Sequence, residues 1–209
     1  MGCSPGDMNA YIGGWRYKPC MKHDIRATIL QRRNALAPVD LARKSQCIRD
    51  RVFGLEEFQR AHTVLFYVSY GSEVATHEMI KEALRQVKKV VVPCTDTTKR
   101  TLSLSELRRW EDLGVGAYKI QEPRVECRCE VPINEVELII VPGIAFDCHG
   151  HRIGHGMGYY DRLLSEKLRV TKLGLAFELQ LVDTIPVERH DVSVDMIVTE
   201  NRIIHIKKS

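Results

Sequence analysis

The sequence has no apolar run long enough to cross a membrane and no large excess of one charge. Its longest apolar runs, such as residues 138–146, fall far short of the roughly 20 residues that a membrane-spanning helix needs. The formal net charge of +4 is too small and too dispersed to indicate nucleic acid, and it is compatible with an anionic small substrate. We therefore expect neither a membrane protein nor a nucleic-acid-binding protein.

The seven cysteines follow neither a disulfide framework nor a zinc-binding pattern. They are scattered and odd in number, and no secretory signal is visible, so we expect reduced thiols in a cytoplasmic protein. Cys127 and Cys129 form a C-x-C pair, but no second pair stands at the spacing typical of structural zinc sites. This spacing argues against structural zinc.

The chain also lacks internal repeats, low-complexity tracts and any interdomain linker. Its 209 residues are 44% hydrophobic and 28% charged, which is ordinary for a soluble globular protein and enough for one sizeable core. Residues 1–20 show no periodicity and are interpreted as an irregular N-terminal extension. Residues 21–209 are predicted to form a single domain.

Apolar runs alternate with helical patterns along most of the chain. Runs typical of strands buried on both faces lie at residues 63–68, 90–93, 136–141 and 172–177. Residues 195–199 and 203–206 are predicted to pair across the turn at 200–202. The alternation predicts the α/β class: a single three-layer domain with a mostly parallel central sheet, covered by helices on both faces.

The most distinctive segment is Arg-Ile-Gly-His-Gly-Met-Gly-Tyr-Tyr-Asp at residues 152–161. Gly154, Gly156 and Gly158 alternate here, between a predicted buried strand and a predicted helix. Unpaired backbone N–H groups and the helix dipole favour an anion at such a position, so the loop is a candidate phosphate site. A tight strand-to-helix connection without a ligand would explain the same spacing.

Four further polar or aromatic residues are candidates for the site, and two of them, Glu73 and Tyr118, are expected at the same end of the sheet. Lys22 and Arg26 are four apart on a predicted helix, so both side chains reach one point beside it, although a solvated basic face gives the same pattern. Glu73 follows the strand at 63–68, where open α/β sheets bind ligands, and ordinary solvent exposure is its alternative. Tyr118 lies in a loop and would equally well cap the core.

Taken together, these segments resemble the 5-formyltetrahydrofolate cyclo-ligase family, also called methenyltetrahydrofolate synthetases, over residues 22–200. The strongest likeness is Val-Pro-Gly-Ile-Ala-Phe-Asp at 141–147, followed by Arg-Ile-Gly at 152–154 and Gly-Tyr-Tyr-Asp at 158–161. The resemblance implies conversion of 5-formyltetrahydrofolate to 5,10-methenyltetrahydrofolate with ATP and Mg²⁺, releasing ADP and phosphate. In that reaction the formyl oxygen attacks the γ-phosphate, N10 closes the ring and phosphate departs.

The resemblance also implies roles for individual residues. Contacts to ATP are implied for Lys22, Arg26, Arg152, Gly154, His155, Gly156, Met157, Gly158, Tyr159 and Tyr160. Contacts to the folate are implied for Val68, Glu73, Tyr118 and Tyr160. Asp161 and Asp191 are the implied Mg²⁺ ligands, and Arg152 and Tyr160 are expected to act directly in catalysis.

One position departs from the family pattern. Where the family commonly has lysine in a Gly-Lys-Gly-Tyr-Tyr-Asp segment, this chain has Met157, which offers the phosphates no cation. Loss of a charged partner at a buried anion costs roughly 2–5 kcal/mol. His155 compensates only when protonated, and an unperturbed histidine is mostly neutral at pH 7. Either Arg152, Arg162 or Lys22 serves instead, or nucleotide use differs in this chain.

Two alternatives therefore stay open at this point. The same fold could act on a different formylated pterin or on a phosphate ester, or the chain could be a non-catalytic protein that binds folate or nucleotide. The expected partners are small molecules, a reduced formylated folate and ATP, with no nucleic acid and no membrane. The expected form is a monomer or a weak homodimer.

Overall fold

The structure is a computed structural model that describes residues 22–165 and 170–207. The helices are α1 (Lys22–Asn34), α2 (Pro38–Gly54), α3 (Glu56–Arg60), α4 (His77–Arg85) and α5 (Tyr159–Leu164). The strands are β1 (Thr63–Leu65), β2 (Lys89–Asp96), β3 (Thr101–Leu107), β4 (Leu113–Val115), β5 (Gln121–Pro123), β6 (Leu138–Val141), β7 (Ala145–Phe146), β8 (Arg152–Ile153), β9 (Thr171–Leu175), β10 (Met196–Val198) and β11 (Ile203–His205). The predicted extension at residues 1–20 lies outside the described residues.

A seven-stranded sheet in the order β11–β10–β9–β6–β1–β2–β3 organises the described part of the chain. The pairs from β10 through β9, β6 and β1 to β2 are all parallel. The edge strands β11 and β3 are antiparallel to their neighbours. The mostly parallel sheet and the pairing of the last two strands are thus confirmed.

Helices cover both faces of this sheet because successive strand residues point to opposite sides. Val64 and Phe66 pack on the side of α2, α3 and α4, whereas Leu65 between them packs on the side of α5. A third apolar cluster joins α1 to the β7–β8 hairpin through Ile25, Ile29, Ile144, Ala145, Ile153 and Ile185. The predicted three-layer α/β fold is confirmed. No helix among the described residues is long and apolar enough to cross a membrane.

The segment before the glycine loop differs from the prediction. The buried strand is β6, which ends at Val141, and it does not lead directly into the loop. A two-stranded hairpin, β7 with β8, lies between them and carries Arg152 as a strand residue. Strands of two residues are too short to show an alternating pattern, so the sequence did not reveal them.

Buried Asp147 holds the turn of that hairpin. Its Oδ1 accepts hydrogen bonds from the backbone N–H groups of His149 and His151, each at 3.0 Å. Its Oδ2 accepts one from the backbone N–H of Ile185, also at 3.0 Å. The hairpin is therefore anchored to a distant segment, which fixes the position of Arg152.

A second hairpin, β4 with β5, was not predicted either. A 3-10 turn at Trp110–Asp112 precedes it, and Leu113 begins β4. A further 3-10 turn, Ala117–Lys119, connects the two strands. The hairpin carries Tyr118 at its tip.

Gly174 leaves space for the fully buried ring of Phe146, because a Cβ atom there would lie 2.6 Å from Cε1. Gly174→Ala is therefore expected to lower the free energy of unfolding by about 1–3 kcal/mol, as overpacked core sites do. Chemical denaturation measures this. Adding Phe146→Leu should cost less in the alanine variant than in the wild-type chain; equal costs in both backgrounds would contradict the clash.

Candidate active site

The first turns of α1 bring two cations to the glycine loop and to the loop before β10. Arg26 Nε donates a hydrogen bond to the carbonyl of Gly154 at 3.0 Å. Lys22 Nζ lies 2.6 Å from Asp191 Oδ2 and 3.0 Å from Glu188 Oε1. The Lys22 side chain is only 20% exposed, so this is not a freely solvated basic face. Burial lowers the pKa of Lys22, but the bonds to both carboxylates outweigh it and raise the pKa overall.

The glycine loop itself adopts backbone conformations that favour glycine. Gly156 has φ +92° and Gly158, directly before α5, has φ +68°. A side chain at either position would be strained. However, α5 has only six residues, so its dipole contributes less than the sequence suggested. Attraction of an anion to this loop must come mainly from the surrounding cationic side chains.

Arg152 is the most deeply buried of these cations. Its side chain is 3% exposed, and Nη2 lies 2.7 Å from Asp161 Oδ1. Burial lowers the pKa of Arg152 while Asp161 opposes that shift, and a guanidinium stays charged in either case. Its Nε is buried without a hydrogen-bond partner among the described residues. Arg152 therefore holds one N–H group that the described protein does not satisfy.

On the other side of the loop lies Glu73, between β1 and α4. Its Oε2 accepts the backbone N–H of Tyr70 at 3.0 Å, and its Oε1 lies 3.4 Å from His155 Nε2. The Glu73 side chain is 14% exposed, which argues against ordinary solvent exposure. Val68, just after β1, is buried in the core on the same side as Phe66. Glu73 and the glycine loop are thus direct neighbours.

Tyr118 does not cap the core. It is 54% exposed, has φ +54° and places its hydroxyl 3.3 Å from the hydroxyl of Tyr159. A non-glycine residue in the left-handed region is uncommon and is often associated with functional sites. The hairpin tip of β4–β5 therefore reaches the glycine loop, as the loop placement in the sequence suggested.

The sequence did not single out Arg33 as a site residue. Its guanidinium is buried, and Nε donates to Ser72 Oγ at 3.0 Å, next to Glu73. Burial lowers the pKa of Arg33, and the nearby Glu73 opposes this shift. The available signal was helical spacing, since Arg33 follows Lys22 by about three turns on the same face. Arg33 supports the loop that carries Glu73.

A cleft of about 690 Å³ opens beside the glycine loop. Its lining includes Gly156, Met157, Gly158, Asp161, Arg162 and Asp191. A smaller cleft of about 270 Å³ lies beside β4–β5 and contains no predicted site residue. The larger cleft is the better candidate for phosphates, because it combines backbone N–H groups with cations.

Asp161 and Asp191 both line this cleft. Together they could bind a Mg²⁺ ion whose remaining ligands are not protein side chains. Asp161 Oδ1 is used by Arg152, and Asp191 Oδ2 by Lys22. Asp161 Oδ2 accepts no hydrogen bond from a described residue. No group of three or more His, Cys, Asp or Glu side chains among the described residues could hold a metal alone. Water and phosphate oxygens would have to complete the shell, as Mg²⁺ commonly requires.

Tyr160 places its hydroxyl in the interior without a hydrogen-bond partner among the described residues. Burial raises the pKa of this phenol, and Glu73 adds to the shift while Arg152 opposes it. The hydroxyl is thus neutral at physiological pH and able to donate to a ligand.

Tyr160→Phe is expected to leave the free energy of unfolding unchanged or to raise it by up to about 1 kcal/mol, because an unsatisfied buried hydroxyl is removed. If the hydroxyl serves a ligand, kcat/KM should fall about tenfold in the same variant, the worth of one hydrogen bond. Thermal unfolding and steady-state kinetics separate the two effects. A loss of stability with unchanged kinetics would contradict this assignment.

Known proteins resemble this chain over most of its length. The family model described as the 5-formyltetrahydrofolate cyclo-ligase family matches residues 19–200. The chain is 30% identical over 178 residues to the 5-formyltetrahydrofolate cyclo-ligase of Escherichia coli, covering 84% of this chain and 98% of that one. It is 32% identical over 214 residues to the Saccharomyces cerevisiae protein of the same name, covering 90% and 97%.

The fold also matches that of a solved relative. The solution structure of Aquifex aeolicus 5,10-methenyltetrahydrofolate synthetase superimposes with a TM-score of 0.79 at 32% identity, covering 90% of this chain and 94% of that one. The family match spans most of the chain, and it includes every predicted site residue. This chain belongs to the 5-formyltetrahydrofolate cyclo-ligase family.

Proposed function

We propose that this chain converts 5-formyltetrahydrofolate to 5,10-methenyltetrahydrofolate, using ATP and Mg²⁺ and releasing ADP and phosphate. One observation carries the proposal: the cationic glycine loop and the Glu73 carboxylate meet at the same end of the sheet, joined by His155. A site that joins a phosphate donor to a folate needs these two halves side by side. The names of the relatives support the same reaction.

On the nucleotide half, we assign the phosphates to the glycine loop, with Arg26, Arg152 and Lys22 around it. Phosphoryl transfer depends mainly on positioning and on stabilising charge, because the protein has little covalent chemistry to perform. The unsatisfied Nε of Arg152 is a donor for a phosphate oxygen. Bound Mg²⁺, held by Asp161 and Asp191, would supply further positive charge to the phosphates.

On the folate half, Glu73 offers a carboxylate that accepts hydrogen bonds from the N–H groups of the pterin. Tyr118 is exposed at the hairpin tip, where its ring can lie against a flat heterocycle. Tyr160 directly follows the glycine loop, and its buried hydroxyl has no hydrogen-bond partner among the described residues, so we assign it as a donor to the reacting groups. This arrangement brings the formyl oxygen towards the terminal phosphate, and ring closure by N10 then expels phosphate.

The test is direct observation of turnover. Purified protein mixed with 5-formyltetrahydrofolate, ATP and Mg²⁺ should give the absorbance of the methenyl product, with one phosphate released per product formed. Omitting ATP or chelating Mg²⁺ should abolish the signal. The variant Arg43→Met is a control that should leave turnover unchanged, because Arg43 is an exposed arginine on α2 that pairs with Asp40.

Other outcomes would support the alternatives. Phosphate release that continues without folate would indicate action on another phosphate compound. Tight binding of folate and nucleotide by folded protein without turnover would indicate a binding protein. Either result would overturn the proposed reaction.

We further propose that residues 1–20 are an extension and that residues 21–209 form one catalytic domain. The proposed partners are small molecules, with no nucleic acid and no membrane. The proposed location is the cytoplasm, which the scattered cysteines support, and the proposed form is a monomer or a weak homodimer. Sedimentation analysis at several protein concentrations tests the oligomeric state.

A further inference from the structure

Arg162, in the last turn of α5, is anchored beside the glycine loop by backbone carbonyls. Its Nε donates to the carbonyl of Arg100 at 2.9 Å, and its Nη2 donates to the same carbonyl and to that of Met157 at 2.9 Å. The guanidinium also lies 5.4 Å from the centre of the Tyr159 ring. These contacts fix the orientation of the side chain although it is exposed.

The anchoring uses only part of the guanidinium. Arginine has five N–H donors, and the three on Nε and Nη2 account for the contacts with carbonyls. Nη1 donates no hydrogen bond to any residue within 22–165 or 170–207. It faces Gly158, where a Cβ atom would stand 2.9 Å from it. The Nη1 group, with its two N–H donors, therefore lies beside Gly158 in the loop.

The charge of Arg162 is also unbalanced, unlike that of Lys22 and Arg152. Lys22 is paired with Asp191 and Glu188, and Arg152 is paired with Asp161. Arg162 forms no ion pair within the part of the chain that the structure describes. Carbonyl oxygens carry only partial charge, so a full positive charge is left to attract an anion in the cleft that Arg162 lines.

We propose that Arg162 is a nucleotide-binding residue, which directs Nη1 to a phosphate oxygen held by the glycine loop. The inference rests on the proposed function, because it assigns the anion to the nucleotide. The cation it supplies stands next to Met157, whose own side chain is uncharged and 46% exposed. The two carbonyl anchors orient the guanidinium before the ligand arrives, so less conformational entropy is lost on binding.

A purely structural role would give a different outcome. In that case Arg162 would only clamp the turn between β2 and β3 to the glycine loop through the carbonyls of Arg100 and Met157. Replacing Arg162 would then reduce thermal stability, and it would weaken the binding of folate and of nucleotide to a similar degree. A new cation elsewhere in the loop would not restore nucleotide binding, because it could not rebuild the clamp.

The experiment measures binding rather than turnover. Calorimetry gives the Kd of a non-hydrolysable ATP analogue with Mg²⁺ and the Kd of 5-formyltetrahydrofolate for four proteins. These are the wild type, Arg162→Gln, the double variant Arg162→Gln with Met157→Lys, and Lys99→Gln. Lys99 is the matched control, since it is an exposed cation on the same β2–β3 turn.

Arg162→Gln should raise the Kd of the analogue about tenfold, which is the worth of one exposed charge-assisted hydrogen bond. The Kd of 5-formyltetrahydrofolate should stay within about twofold of the wild-type value. The double variant should recover most of that loss, and Lys99→Gln should change neither Kd. An unchanged analogue Kd in Arg162→Gln, or a loss that Met157→Lys does not recover, would overturn the inference. If the wild type binds the analogue but forms no methenyl product from ATP and 5-formyltetrahydrofolate in the turnover assay, the proposed function alone is rejected.

Discussion

Replacing Arg152 with methionine is expected to lower kcat/KM for ATP by about 30- to 5,000-fold, the largest loss expected of any single side chain here. The range corresponds to the roughly 2–5 kcal/mol that truncating one partner of a buried charge contact costs. Arg152 is almost completely buried, so solvent and salt screen its charge little. Methionine keeps the apolar stem but removes every N–H donor, including the unsatisfied Nε.

The same replacement also leaves Asp161 without its cation. Because Asp161 is 20% exposed, the free energy of unfolding should fall by about 1–3 kcal/mol, less than for a fully buried pair. Arg152→Lys keeps the positive charge but lacks the planar guanidinium group, so its kcat/KM should lie between those of the wild type and Arg152→Met. If denaturation shows folded protein while kcat/KM stays within about threefold of wild type, Arg152 has no role in ATP use.

A matched control comes from an ion pair with similar geometry whose arginine is exposed. Arg109 Nη2 lies 2.8 Å from Asp112 Oδ1, but the Arg109 side chain is 72% exposed and is not among the residues that line the cleft. Arg109→Met should leave kcat/KM within about twofold, because solvent screens the Arg109 charge and Arg109 does not line the cleft. A comparable loss in both variants would point to a general effect of removing positive charge.

The sheet was predictable from the sequence for a physical reason. A parallel strand buried on both faces needs apolar residues at every position, and such runs stand out from amphipathic helices. The run at residues 63–68 gave β1 and the run at 90–93 gave β2, with errors at the ends. The β7–β8 hairpin carries no such signal, since its strands have two residues each.

The site was only partly predictable, because its pairings depend on the path of the whole chain. Lys22 and Asp191 are 169 residues apart and meet at 2.6 Å, which no local spacing reveals. Arg152 and Asp161 lie in one motif, yet their contact depends on the hairpin placing Arg152 inside the protein. The sequence named Glu73 through its position after a strand, but it gave no indication that His155 is its neighbour.

Glu73→Gln is expected to weaken binding of 5-formyltetrahydrofolate by roughly 10- to 150-fold while leaving the KM for ATP within about twofold. The estimate takes about 1.5–3 kcal/mol for a hydrogen bond to a charged group. Glutamine preserves the shape and can still accept the N–H of Tyr70, so the β1–α4 loop should keep its conformation. What is lost is the anionic acceptor for the pterin N–H groups.

His155→Gln provides the control that separates the carboxylate from its surroundings. The His155 side chain is 62% exposed and contacts Glu73 only at 3.4 Å, so its replacement should change folate binding by less than about threefold. Calorimetry with each variant measures both affinities directly. Because Glu73 also balances buried Arg33, Glu73→Gln should show a small loss of thermal stability that His155→Gln lacks. Equal folate affinity in wild type and Glu73→Gln would remove Glu73 from the folate site and leave the support of Arg33 as its role.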